Sequence, residues 1–288
     1  MPASNTSPKT VPAELGLTVS GQPVDLDAAK EFITAILENV AQVELNEIEV
    51  ELQEKSRRLK ALLAPDVLPA LSEDQLHGLL RSVFATRRRS KEILEAIGLQ
   101  GFKTALQDLL YGSASVDARF QLFVDAMTGF FDDVRVLRPK KSSDSRAKQS
   151  AEDSALQENI FCDLASELLH FTNPHEYWLW TRWIWDPKAG TGAMALVTMD
   201  EVNLHGQSVG ETYLKIGVAS AFVQATSAAA GLTSFGTGPF SLDVFLVCVY
   251  SVYMYTTLRL RMTQEFNKVV PQLPELSRRL LGTWKMEL

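Results

Sequence analysis

The sequence predicts a mostly α-helical protein made of two helical modules, with at most one or two short strands. Three observations carry this. Apolar residues recur at alternating spacings of three and four in the N-terminal half. Helix start and stop residues (Ser, Asn, Pro, Gly) punctuate the amphipathic stretches at helical lengths. Between the two halves, residues 139–154, PKKSSDSRAKQSAEDS, include no large apolar side chain, cannot bury a face, and read as a loop or linker. The expected layout is therefore a disordered tail over 1–20, an N-terminal module over 21–138, the linker, and a C-terminal module over 155–288.

The tail, MPASNTSPKTVPAELG, lacks the apolar core of a signal peptide. From 25 to 63 the pattern predicts one long amphipathic helix or two in series. Leu45, Ile48, Leu52, Leu59 and Leu62 form its stripe, and Lys55 occupies the slot between Leu52 and Leu59. That stripe serves either as packing within the domain or as a coiled-coil seam for a partner. On the outer face, Glu51–Lys55 and Glu54–Arg58 stand in the favourable order, acid one turn before base. Ala64-Pro65 closes the element, and Ser72 caps the next helix, SEDQLHGLLRSVF. Arg87, Arg88, Arg89 and Lys91 follow where one helix ends and another begins, with Lys103 downstream. Such a run is either a solvated face or an anion contact. Gly98 and Gly101 flank a tight turn, Gly112 ends a helix, and Ser115 and Asp117 start another.

The segment 159–187, NIFCDLASELLHFTNPHEYWLWTRWIWDP, holds four of the five tryptophans and two of the four histidines. Asn173, Pro174 and Glu176 look like a cap, a first helical residue and a capping-box partner. They predict a second short helix that stops at Asp186-Pro187. Its tryptophans form either a buried aromatic core or a platform for a flat ligand lined by His170, Trp178, Trp180 and Arg182. A short strand is expected at 195–199, then a helix with a small-residue face over 210–232. The run 244–258 is too short and too interrupted to span a bilayer, and predicts a buried central helix. A last amphipathic helix follows Pro274.

Composition narrows the function. A net charge of −7 disfavours a chain that binds nucleic acid over its whole surface. Two cysteines, Cys162 and Cys248, are too few for a disulfide framework, and a reducing, cytoplasmic location is the simplest inference. Glu167 and His170, at i and i+3, are weak candidates for half of a di-metal site, with no second matching motif. Cys162 and His170 stand two turns apart, too far for a direct nucleophile–base pair. The glycine turn at 190–192 lacks the residues of a phosphate loop. No cofactor is expected.

The segments LLYGSASVDARFQLFVDAM, ASELLHFTNPHEYWLW and LDVFLV resemble the helical region of some restriction- and defence-associated proteins. The matching positions are Leu109–Gly112, Arg119-Phe120, Leu168–Pro174 with Tyr177, and Asp243 to Leu246. The chain departs from that pattern at Trp178–Asp186 and in the long polar insertion. The resemblance implies an all-helical fold and a DNA-related role, and supplies no catalytic residue. The leading expectation is a non-catalytic interaction or assembly subunit that binds a protein partner or itself. The rivals are a DNA-binding accessory protein acting through Arg87 to Lys91, and an enzyme with a pocket near His170.

Overall fold

The computed structural model describes residues 23–136, 146–226, 231–236, 238–261 and 271–284. The tail expected over 1–20 lies outside them, as do residues 137–145 of the polar insertion. Among the described residues the protein is all-α, with ten helices and no strand; two isolated bridges join Val24 to Thr198 and Asp186 to Thr191.

The stretch 25–63 is two helices in series, α1 (Leu26–Asn39) and α2 (Gln42–Leu62). The Asp25 carboxylate caps α1 by accepting from the amides of Asp27 and Ala28. α2 buries Leu45, Ile48, Leu52 and Leu59, and it buries Lys55 with them. The outer-face pairing is half corrected. Glu54 does bind Arg58 at 2.6 Å, whereas Lys55 turns inward and Glu51 binds Arg278 at 2.8 Å. α3 (Glu73–Ser82) starts on a reciprocal capping box between Ser72 and Gln75. α4 (Ser90–Ile97) and α5 (Leu99–Tyr111) meet at Gly98, whose φ of 73° favours glycine. α6 is Val116–Val136.

α7 (Arg146–Thr172) begins inside the insertion read as a loop, so 146–154 is helix and not linker. Ala147, Lys148, Gln149 and Glu152 are strong helix formers, and extending a helix fixed by burial avoids the cost of a new nucleus. The strand expected at 195–199 is a short 3-10 turn, Met194–Leu196, tied to the N-terminal strand-like residues by single hydrogen bonds from Asp25 and Met199. In α8 (Val209–Ala225) the small residues serve close packing. A Cβ on Gly210 would lie 2.3 Å from the Asp117 carbonyl of α6, and one on Gly217 2.9 Å from the Trp178 ring. α9 (Ser241–Arg261) buries every residue from Leu242 to Val249, and α10 (Leu273–Leu280) packs beside it. No helix among the described residues is long and apolar enough to cross a membrane.

Buried residues from both halves of the chain form one hydrophobic core. α7 packs against α2, α5 and α6, while α9 packs against α1, α2, α8 and α10. From Ile160 to Thr172 every residue of α7 is buried. A helix surrounded on all sides is expected to be apolar all round, and α7 is not.

Candidate functional site

Asp163, Ser166, Glu167 and His170 stand at i, i+3, i+4 and i+7 of α7, so they share one face. All four are buried, and each binds a different part of the chain.

Asp163 accepts from the Arg182 amide at 2.9 Å and meets Arg182 Nε at 3.4 Å. The Ser166 hydroxyl oxygen accepts from the Trp180 amide. Lys55 Nζ donates to Glu167 Oε2 at 2.6 Å and to the Leu281 carbonyl at 2.7 Å, and lies 4.2 Å from the centre of the Phe171 ring. His170 Nδ1 faces the Tyr177 carbonyl at 2.9 Å and Nε2 faces Asp243 Oδ2 at 2.9 Å. A carbonyl only accepts, so Nδ1 carries a proton and donates. Nε2, on the other side of the ring, meets the Asp243 carboxylate.

These bonds explain why 174–185 is not the helix that Asn173, Pro174 and Glu176 predict. Their cap forms one turn only, with the Glu176 and Tyr177 amides bonded to the Asn173 carbonyl. The chain then runs without regular structure beside α7, whose Ser166 and Asp163 side chains take the Trp180 and Arg182 amides, and makes a second turn in which the Ile184 and Trp185 amides bond to the Thr181 carbonyl. The Tyr213 hydroxyl donates to the Trp178 carbonyl from α8. Backbone groups that a helix would satisfy locally are satisfied by side chains distant in sequence.

The expected pocket residues are strung along α7: His170 meets the Tyr177 carbonyl, the Trp180 amide meets Ser166 and the Arg182 amide meets Asp163, while the Trp178 carbonyl accepts from Tyr213 of α8. Trp180 stacks on Phe120 with ring centres 5.7 Å apart and donates Nε1 to the Trp185 carbonyl. Trp183 packs on Tyr250, and Trp185 on His205. This is the aromatic-core reading of the tryptophans. Nε1 of Trp183 and of Trp185 are buried without a hydrogen-bond partner among the described residues. Arg119, matched in the resemblance, clasps the Leu109 and Ala114 carbonyls and the Tyr177 hydroxyl.

Burial governs the electrostatics of the stripe. Loss of solvent lowers the Lys55 ammonium pKa and raises that of Glu167, each opposed by the charge of the other. Burial likewise raises the Cys162 thiol well above its ordinary value, which removes nucleophilic character. The Asp163 carboxyl is pushed up to about 7 by burial, against the opposing pull of Arg182. Its native pKa is therefore raised above its unfolded value. The unfolded chain releases this proton near pH 4 and the native chain near pH 7, so Asp163's contribution to stability falls as pH rises between those values. Asp163→Asn keeps an acceptor for the Arg182 amide and is expected to flatten that part of the stability–pH curve, as read by urea unfolding from pH 4 to 8. An unchanged slope would show that Asp163 is ionised throughout.

As metal ligands Glu167 and His170 are engaged elsewhere, and among the described residues no group of three or more His, Cys, Asp or Glu side chains is placed to hold an ion. His77 meets the Ser90 hydroxyl at 2.9 Å. The basic residues take two kinds of position. Arg87 Nε donates to the Arg81 carbonyl, and Lys103 Nζ to the Pro69 carbonyl in another connection. Arg88 and Lys91 are exposed and Arg89 half-buried, with no partner for their head groups among the described residues.

Sequence reasoning missed Lys55, Asp163, Ser166 and Asp243 as members of the network. The signal for Lys55 was present, a lone cation inside an apolar stripe.

The fold and site define an all-α protein with a buried polar axis. No protein-family model, no curated protein and no solved structure matches the chain.

Proposed function

We propose that the chain is a non-catalytic helical subunit that assembles with another protein chain. One observation carries this reading. The side chains best suited to chemistry, Glu167, His170, Asp163 and Cys162, lie inside the core, and the three ionisable ones on the polar stripe are closed into internal pairs. A reaction centre needs a group left facing its substrate. The surface of α2 supports the assembly half of the reading. Val43 and Val50, seven residues apart and so on one face, are 60% and 62% exposed on a helix whose opposite face is fully packed.

The test is affinity capture from the native host with the parent chain and with a Val43→Asp/Val50→Asp variant, read by quantitative mass spectrometry. The reading predicts a stoichiometric partner, or a second copy of this chain, that is lost at least tenfold with the variant while the melting temperature stays the same. A chain captured without a partner would overturn it. So would a turnover by the purified chain that His170→Ala abolishes.

A further inference from the structure

We propose that the connection between α3 and α4 binds single-stranded nucleic acid, with Phe84 stacking on a base and Arg88, Arg89 and Lys91 holding the adjacent phosphates. The proposal uses other residues than the assembly surface of α2 and stands apart from it.

The segment 81–91 reads RSVFATRRRSK. Its backbone is held from within. Thr86 is buried and its hydroxyl donates to the Leu80 carbonyl at 2.6 Å. The Arg87 amide bonds to the Val83 carbonyl and the Arg89 amide to that of Thr86. The Ser90 hydroxyl is buried against His77 and the Arg87 carbonyl. A connection fixed in this way presents its side chains without a backbone ordering cost on binding.

Those outward side chains are an aromatic ring and three cations. Phe84 is 48% exposed, and the helical turn closed by the Arg87 amide sets it one turn before Arg88. Among the described residues, two of the exposed large apolar side chains are phenylalanines, Phe84 and Phe222. Phe222 lies on α8, where the one cation, Lys215, is paired with Glu211. Arg57 and Arg58 of α2 pair with Glu54, and Arg278 and Arg279 of α10 pair with Glu47, Glu51 and Glu275. At the α3–α4 connection the acids nearest in sequence, Glu92 and Glu95, form no ion pair with Arg88, Arg89 or Lys91. Unmatched cations beside an open aromatic face suit a polyanion whose bases are unstacked, because the ring needs a free base face and the head groups need phosphates. A duplex covers its base faces.

The experiment is fluorescence anisotropy of the full chain with labelled oligothymidine and oligouridine strands of about 20 nucleotides, and with a duplex of equal length, from about 50 to 200 mM salt. The proposal predicts that at least one single strand binds more tightly than the duplex. Three phosphate contacts at about 0.7 each give a slope of log K against log salt near −2. Arg88→Gln/Arg89→Gln/Lys91→Gln is expected to weaken binding at least tenfold and to flatten the slope. Phe84→Ala is expected to weaken single-strand binding about five- to hundredfold with the slope retained, and Phe84→Tyr to preserve it. Phe84, Arg88 and Lys91 are exposed and the half-buried Arg89 has no head-group partner among the described residues, so the variants are expected to melt within a few degrees of the parent, which a thermal melt of each checks. Absence of binding at the lowest salt would overturn the proposal, as would unchanged affinity in either variant or equal displacement by polyglutamate.

Discussion

Lys55→Met is expected to lower the free energy of unfolding by about 3–5 kcal/mol, and Glu167→Leu by a similar amount. Lys55 is 0% exposed, and its ammonium has three partners: Glu167, the Leu281 carbonyl and the face of Phe171. Removing either member leaves the other as an uncompensated charge in the core, which is the costly situation; removing both leaves none. The double variant, with two apolar side chains of similar volume, is expected to recover most of the loss. Urea unfolding at pH 7, followed by tryptophan fluorescence, measures all three. Single losses below about 1 kcal/mol would mean that water reaches the pair.

Val247→Asp is expected to leave no cooperatively folded chain. Val247 lies in the fully buried run Val244–Val249 of α9. An unpaired carboxylate there costs several kcal/mol, of the order of the whole stability of a domain. Thr256→Asp, on the exposed side of the same helix, is the control and is expected to melt within a few degrees of the parent. The neighbouring Cys248 reports the same burial. Loss of solvent pushes its thiol up to about 12, so it is expected to resist an aromatic disulfide reagent until urea unfolds the chain. Rapid labelling of the native chain, or a folded Val247→Asp protein, would place α9 at the surface.

The helices were legible where the signals are local. The stripe from Leu45 to Leu59, the Ser72 cap, Gly98 and the apolar run of α9 each state their structure within a few residues. The misreading of 174–185 has a different cause. Asn173, Pro174 and Glu176 do form their turn, but the next backbone donors find Ser166 and Asp163, partners that no local pattern announces. The same holds for α7. Asp163, Ser166, Glu167 and His170 are spaced as one polar face, which in sequence looks like a face turned to water. Their burial depends on Lys55, Arg182 and Asp243, more than a hundred residues away in the case of Lys55. No local signal announces the exposure of Phe84, since a phenylalanine at a helix end is ordinarily core; it follows from the turn after α3.

The central claim is that 160–172 is the structural axis of the fold, its polar stripe closed by internal bonds. Native-state hydrogen exchange, read by mass spectrometry on peptides covering 160–172, tests it most directly. Those amides are expected to be among the slowest in the protein, exchanging only through global unfolding, with the opening free energy measured by urea. Exchange far faster than global unfolding, at rates like those of the exposed loops, would contradict the claim and mark α7 as a segment that opens to admit a ligand.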